Sequence, residues 1–80
     1  SLAILRPLHD ALTEGKRFIL CSDGASIGGL LTHLSFLSGT KLEIVQGDIN
    51  MNASGRLEGN GLGGLLQKFS ENYAVTVVKN

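Results

Sequence analysis

The sequence has one cysteine, one proline and no apolar run approaching the ~18 residues a membrane-crossing helix needs. A single thiol excludes an internal disulfide and leaves the redox compartment open. Cys21 lies in the apolar run Phe18-Ile19-Leu20-Cys21, which predicts a buried, inert thiol. Net charge is missing too. Seven basic and seven acidic residues cancel, which removes the electrostatic case for nucleic acid, an anionic membrane or a strongly charged partner. No signal peptide is visible, and a start without methionine fits a domain cut from a longer, exported protein.

Glycine is abundant by contrast, at 11 of 80 residues, about twice the usual ~7%. Eighty residues make a single domain, 1–80, which buries roughly 60% of the surface of its unfolded chain. The glycines flank apolar periodic segments, so they read as turns and close backbone approaches rather than as disorder. Two adjacent pairs of them mark an internal repeat. Ile27-Gly28-Gly29-Leu30-Leu31 returns 35 positions later as Leu62-Gly63-Gly64-Leu65-Leu66. Each copy follows a strand-like run and leads through a helical pattern into another, which predicts two β-α-β units in tandem.

Residues 1–15 read as an N-terminal amphipathic helix closed by Gly15. Ile4, Leu5, Leu8, Ala11 and Leu12 share one arc, and Arg6, His9, Asp10 and Thr13 the other. Pro7 points to a regular start near Leu5 or Arg6, or to a kink. Residues 16–80 hold the double β-α-β core. Lys16–Ser22 is a strand apolar on both faces, hence well covered. Asp23-Gly24 is a turn, and Ser26 caps a helix whose stripe is Ile27, Leu30, Leu31, Leu34 and Leu37. Lys41–Gln46 alternates as a strand. Ile49–Glu58 alternates for ten residues, with Ile49, Met51, Ala53, Gly55 and Leu57 toward the core and Asn50, Asn52, Ser54, Arg56 and Glu58 toward water. Asn60 is placed to cap a second helix with Leu62, Leu65, Leu66, Phe69 and Tyr73 on its stripe, and Tyr73–Val78 closes the chain. The predicted class is α+β, an α/β sandwich in the order α-β-α-β-β-α-β, with a small mixed sheet.

Motifs that would carry chemistry fall away one by one. Gly59-Asn60-Gly61-Leu62-Gly63-Gly64 matches G-x-G-x-x-G, but a dinucleotide site needs a following strand that ends in a carboxylate, and Val75-Thr76-Val77-Val78-Lys79-Asn80 has none. Tight packing at Gly63 and Gly64, as at Gly28 and Gly29, explains the run better. His9 and His33 sit on polar faces of different helices without ligand spacing, as solvated histidines do. Ser22-Asp23 beside Cys21 lacks both a nucleophile elbow and a paired histidine. Asn52-Ala53-Ser54 is a glycosylation sequon, which carries meaning only in a eukaryotic secretory context. The expectation is no catalytic residue, no metal and no cofactor. Phe36 lies opposite the apolar stripe of its helix, either covered by the first helix, the reading that helix favours, or exposed as an interface anchor.

Ser26-Ile27-Gly28-Gly29-Leu30-Leu31, Leu42-Glu43-Ile44-Val45, Ala53-Ser54-Gly55-Arg56-Leu57-Glu58, Leu65-Leu66-Gln67-Lys68-Phe69 and Tyr73 together carry a family pattern. Over residues 17–79 the chain resembles the N-terminal periplasmic domain of secretins and the related signalling domain of TonB-dependent receptors. Those domains are built from two β-α-β units. The first helix and the doubled glycines depart from the pattern, and ring-building domains of secretion machines and amino-acid-binding ACT domains share the same string of elements.

The resemblance implies a non-enzymatic, periplasmic or envelope assembly module of a secretion or uptake system. It would dock to other protein components or to copies of itself, with Phe36, Asn50, Asn52 and Arg56 as interface residues. The alternative is a cytoplasmic ACT-like regulatory domain. It would hold a small ligand at Asp23, Gly24, Ser26 and Gly28, where a turn meets the N–H groups of a helix start.

Overall fold

The computed structural model describes residues 2–80, with side chains from Leu5 onward. Ser1, and the side chain of Ile4 expected on the first apolar arc, lie outside the described residues. Helix α1 spans Leu2–Thr13 and runs through Pro7. It therefore begins upstream of Leu5, at the cost of one intrahelical hydrogen bond. Leu12 is buried, and Leu5 and Ala11 pack against the core. The Lys16 N–H closes the helix end on the Ala11 carbonyl across Gly15, the six-to-one bond of a Schellman turn.

The first unit comprises β1 (Arg17–Ser26), α2 (Ile27–Ser38) and β2 (Leu42–Gln46). The second comprises β3 (Asn52–Asn60), α3 (Gly61–Tyr73) and β4 (Thr76–Lys79). Element order and the stripes of α2 and α3 agree with the sequence reading, whereas Leu8 of the expected α1 arc is exposed. Ser26 is the N-cap of α2, its side chain accepting the Gly29 N–H. Asn60 holds the N-cap position of α3 but makes no side-chain capping bond. The Asp23-Gly24 turn signal lies inside β1 as a bulge, where the register to β3 shifts between Asp23 and Ala25. The extra residue lets β1 continue to Ser26 rather than stop at Ser22.

The strands do not join into one mixed sheet. β1 pairs antiparallel with β3, and β2 pairs antiparallel with β4. Both ladders thus cross between units. Their registers place Cys21 opposite Arg56 and Glu43 opposite Val78. Each of these pairs is separated by the 35-residue repeat itself, so equivalent positions meet at the centre of both ladders. That is the signature of an approximate twofold relating the units.

The core obeys the same relation. Ile27 and Leu62, Leu30 and Leu65, Leu31 and Leu66, and Leu34 and Phe69 are equivalent pairs, and all eight are buried. Helices α2 and α3 each touch both ladders, and α1 lies against both of them. On the inner face of the first ladder Leu20 stands opposite Leu57 and Phe18 opposite Gly59. The bare Gly59 lets α3 approach closely. A Cβ there would come within 2.6 Å of the Gly64 carbonyl carbon, a separation real side chains do not reach. Gly63 has no such neighbour and is exposed, so only Gly64 of the doubled pair performs the expected packing.

The helix ends are equivalent too. Gly39 closes α2 at φ 68°, and Ala74 closes α3 at φ 54°. Both adopt the left-handed conformation that costs a non-glycine residue about 1–2 kcal/mol. Ala74→Gly should therefore stabilise the domain by about 0.5–1 kcal/mol after the entropy of the unfolded glycine is counted. That gain reads as a melting temperature raised by ~2–8 °C. In the core, Leu65 is fully buried, and Leu65→Ala should cost ~2–5 kcal/mol by denaturant unfolding.

Candidate interaction surfaces

Leu34 and Leu37 turn α2 toward the core, and the residue between them that faces away is Phe36. It is 71% exposed. The expectation that α1 covers it is therefore overturned. Helix α1 docks elsewhere on α2: His9 Nδ1 lies 2.9 Å from the Leu37 carbonyl oxygen, on the last turn of α2. A carbonyl only accepts, so the imidazole donates from Nδ1. His9 is thus exposed but anchored, whereas His33 is simply solvated. With α1 held at that point, a groove of about 520 Å³ opens between the helices. Leu5, Leu37 and Phe36 supply its apolar part, and Arg6, His9 and Asp10 its polar wall.

A second surface is the outer face of the β1–β3 ladder. Helices cover only the inner face, so alternate residues emerge into solvent. These are Arg17, Ile19, Cys21 and Asp23 on β1, and Asn52, Ser54, Arg56, Glu58 and Asn60 on β3. Glu58 binds both Arg17 across the strands and Arg56 along its own strand, the latter at 2.5 Å. Exposed pairs of this kind are worth about 0–1 kcal/mol each, so they set charge pattern more than stability. Cys21 is exposed at the centre of this face, which corrects the buried thiol expected from its apolar run. In the sequence only Arg17 and Asp23, at the two ends of that parity, mark it as wet, since Ile19 and Cys21 between them are apolar. A two-stranded ladder with helices on one side leaves one parity wet.

Of the four expected interface residues, Asn52 and Arg56 share this outer row. Phe36 belongs to the helical surface, and Asn50 to the segment that joins the units. There Asp48 Oδ1 accepts the Asn50 N–H and turns the chain, so the period-two pattern starts later than expected. Ile49 and Met51 accordingly do not face the core and are 41% and 39% exposed. Their carbonyls have another use. The Ile49 oxygen accepts the Gly28 N–H and the Met51 oxygen accepts the Ile27 N–H, both at 2.9 Å.

Those two bonds bear on the alternative ligand site at Asp23, Gly24, Ser26 and Gly28. The Ile27, Gly28 and Gly29 N–H groups at the start of α2 already have Met51, Ile49 and Ser26 as acceptors. The donors an anionic ligand would use are satisfied internally. Asp23 and Gly24 sit at the exposed bulge. The G-x-G-x-x-G run is likewise occupied by packing, with Gly59 against Gly64 and Gly61 against Gly15. Beside it lies an open groove of about 490 Å³, where Arg17 faces Glu58 and Lys68 faces Glu71. Each cation there has its own carboxylate.

Among the described residues, no three His, Cys, Asp or Glu side chains converge as metal ligands. No helix there is long and apolar enough to cross a membrane. Compared with protein-family models, curated proteins and solved structures, the chain has no match. One consequence of the outer face is directly measurable. Native protein without denaturant should react readily with a thiol reagent such as DTNB, at a rate that unfolding changes little. Labelling that appears only on unfolding would contradict the exposed position of Cys21.

Proposed function

We propose that this chain is a non-enzymatic assembly domain of a bacterial envelope secretion or uptake system, working in the periplasm or cell envelope. It docks to other protein components of that system or to further copies of itself. The observation that carries the reading is Phe36. A large aromatic side chain stands largely in solvent beside an apolar groove, which is the arrangement of an anchor residue at the centre of an interface. The charged outer face of β1–β3, with Arg56 and Asn52, supports it as a second contact that sets register and partner choice. Support also comes from the two-unit build, which matches the plan of the secretin and TonB-receptor domains that residues 17–79 resemble.

The ACT-like alternative has less behind it. Its ligand would sit at the α2 N-terminus, and the first N–H donors there bond instead to Ser26, Ile49 and Met51.

Two substitutions test the assembly reading. Phe36→Ser removes a mostly exposed ring, so the fold should lose no more than about 0.5 kcal/mol. Association with a partner or a second copy should weaken by at least ~30-fold, the size of an anchor worth ~2 kcal/mol. Arg56→Glu breaks one exposed ion pair, that with Glu58, and should change stability by less than about 1 kcal/mol. Its effect should appear in the association rate and its salt dependence. Sedimentation and cross-linking with envelope proteins of the same operon provide the readout. A chain that stays monomeric against all of them yet binds a free amino acid at micromolar affinity would favour the regulatory reading.

A further inference from the structure

Among the described residues, every strand pairing runs between the two β-α-β units and none runs within one. The core is shared in the same way: Ile27, Leu31 and Leu34 of the first unit cluster with Leu57, Leu65 and Phe69 of the second. Each unit therefore carries the complement of the other. That complementarity lies in the ladders and the core, and covalent connection is not needed for it. The connection itself is Gly47-Asp48-Ile49-Asn50-Met51, exposed along its whole length. It is tied to α2 by the two N–H bonds from Ile27 and Gly28.

We infer that the chain associates with a second copy of itself by exchanging units. The first unit of one copy pairs with the second unit of the other, reciprocally, and residues 47–51 open as the hinge. Each of the two globules so formed contains β1 against β3 and β2 against β4, with the same core as the closed monomer. The partner is thus fixed as another copy of this chain, because only it supplies both complements, and the contact is isologous. Nothing in either ladder or in the shared core is lost on exchange. What must change is the path of the five-residue hinge, with its two bonds to α2 and the two turn bonds that Asp48 accepts from the Asn50 and Met51 N–H groups.

The balance between the closed and exchanged forms follows from concentration. A short linker presents the second unit to the first at an effective concentration on the order of millimolar. Dilute chains therefore close on themselves. Chains that fold at millimolar density, or that are tethered side by side, exchange. This route to assembly does not rest on the surfaces proposed above.

The register supplies the test. Cys21 and Arg56 are opposite each other on the outer face of β1–β3, so Arg56→Cys places two thiols across one ladder. Their disulfide is intrachain in the closed monomer and interchain, formed twice, in the exchanged dimer. Arg56→Cys also removes the outer-face arginine, so a dimer of this variant is not one that depends on Arg56. The full chain is unfolded under reducing conditions, refolded at about 10 μM and at about 1 mM to bracket the linker's effective concentration, oxidised, and separated without reductant. Exchange predicts a covalent dimer whose share rises roughly in proportion to chain concentration and survives later dilution.

Intrachain monomer alone at both concentrations would overturn the inference. So would an equal yield of covalent dimer from the unsubstituted chain, since exposed Cys21 thiols would then be reacting by collision. A second chain carrying Cys21→Ser, Glu43→Cys and Val78→Cys moves the pair to the centre of β2–β4, where Glu43 and Val78 are opposite and exposed. It must show the same concentration dependence, and it decides the matter if Arg56→Cys does not fold. Interchain bonds at one ladder without the other would refute reciprocal exchange.

Discussion

Backbone pairing between the two repeats is the interaction on which the rest of the molecule depends. Among the described residues β1 has only β3 as a hydrogen-bonded neighbour and β2 has only β4, so neither β-α-β unit satisfies its own strands. An unpaired strand in water is marginal at best. The helices cannot compensate alone, because their leucine stripes are covered only when both ladders are in place. Packing follows from this pairing. Gly59 must be bare for α3 to settle on β3, and a Cβ at Gly28 would meet the Ile49 carbonyl oxygen at 3.3 Å, close enough that the joining segment would have to give. The α2 N-terminus then finds acceptors in the segment that joins the units, so chain connection and helix capping are served by the same carbonyls.

The same arrangement decides what the surface offers. Two ladders of two strands, with helices against their inner faces, leave broad outer faces and strand edges in contact with solvent. Such faces invite partners unless charge discourages them. Here Glu58 joins Arg17 and Arg56 into a compact charged group on one ladder, while Ile19 and Cys21 sit beside it. The helical side contributes a different chemistry, an exposed ring next to a groove. With a formal net charge of zero, neither surface carries a long-range field of one sign.

Much of this fold is legible in the sequence, and what is not has an identifiable cause. Helices α2 and α3, their buried stripes and the Ser26 cap follow from spacings of three and four residues, which are local. Element order follows from the 35-residue repeat. Strand partners are non-local, and composition within β1 or β2 does not reveal whether a strand seeks its own unit or the other. The apolar run Phe18-Ile19-Leu20-Cys21 reads as covered on both faces, which misplaces Cys21, because Ile19 and Cys21 hide the wet parity that only Arg17 and Asp23 mark. Ile49 and Met51 extend the apolar parity of β3, but Asp48 turns the chain beneath them and diverts their carbonyls to α2. Phe36 was correctly located opposite the stripe. Its exposure depends on where α1 lands, and that position is set by the bond from His9 to the last turn of α2. Of the expected interface set, Asn52 and Arg56 come together, while Phe36 and Asn50 stand apart.

The equal spacing at the two ladder centres also governs how the chain reaches this structure. Cys21 meets Arg56, and Glu43 meets Val78, across 35 positions in each case. No ladder in the described residues begins as a local hairpin, so neither can nucleate by closing a short turn. Each must bring distant segments together before any of its bonds form, and the loop-closure entropy falls due in advance. For so short a chain the mean sequence separation of contacts is high, which places its folding toward the slow end for its size. The helices are the only elements able to form early. Until the second unit has been synthesised as far as β3, the first has no strand to pair with, and its apolar faces wait in solvent.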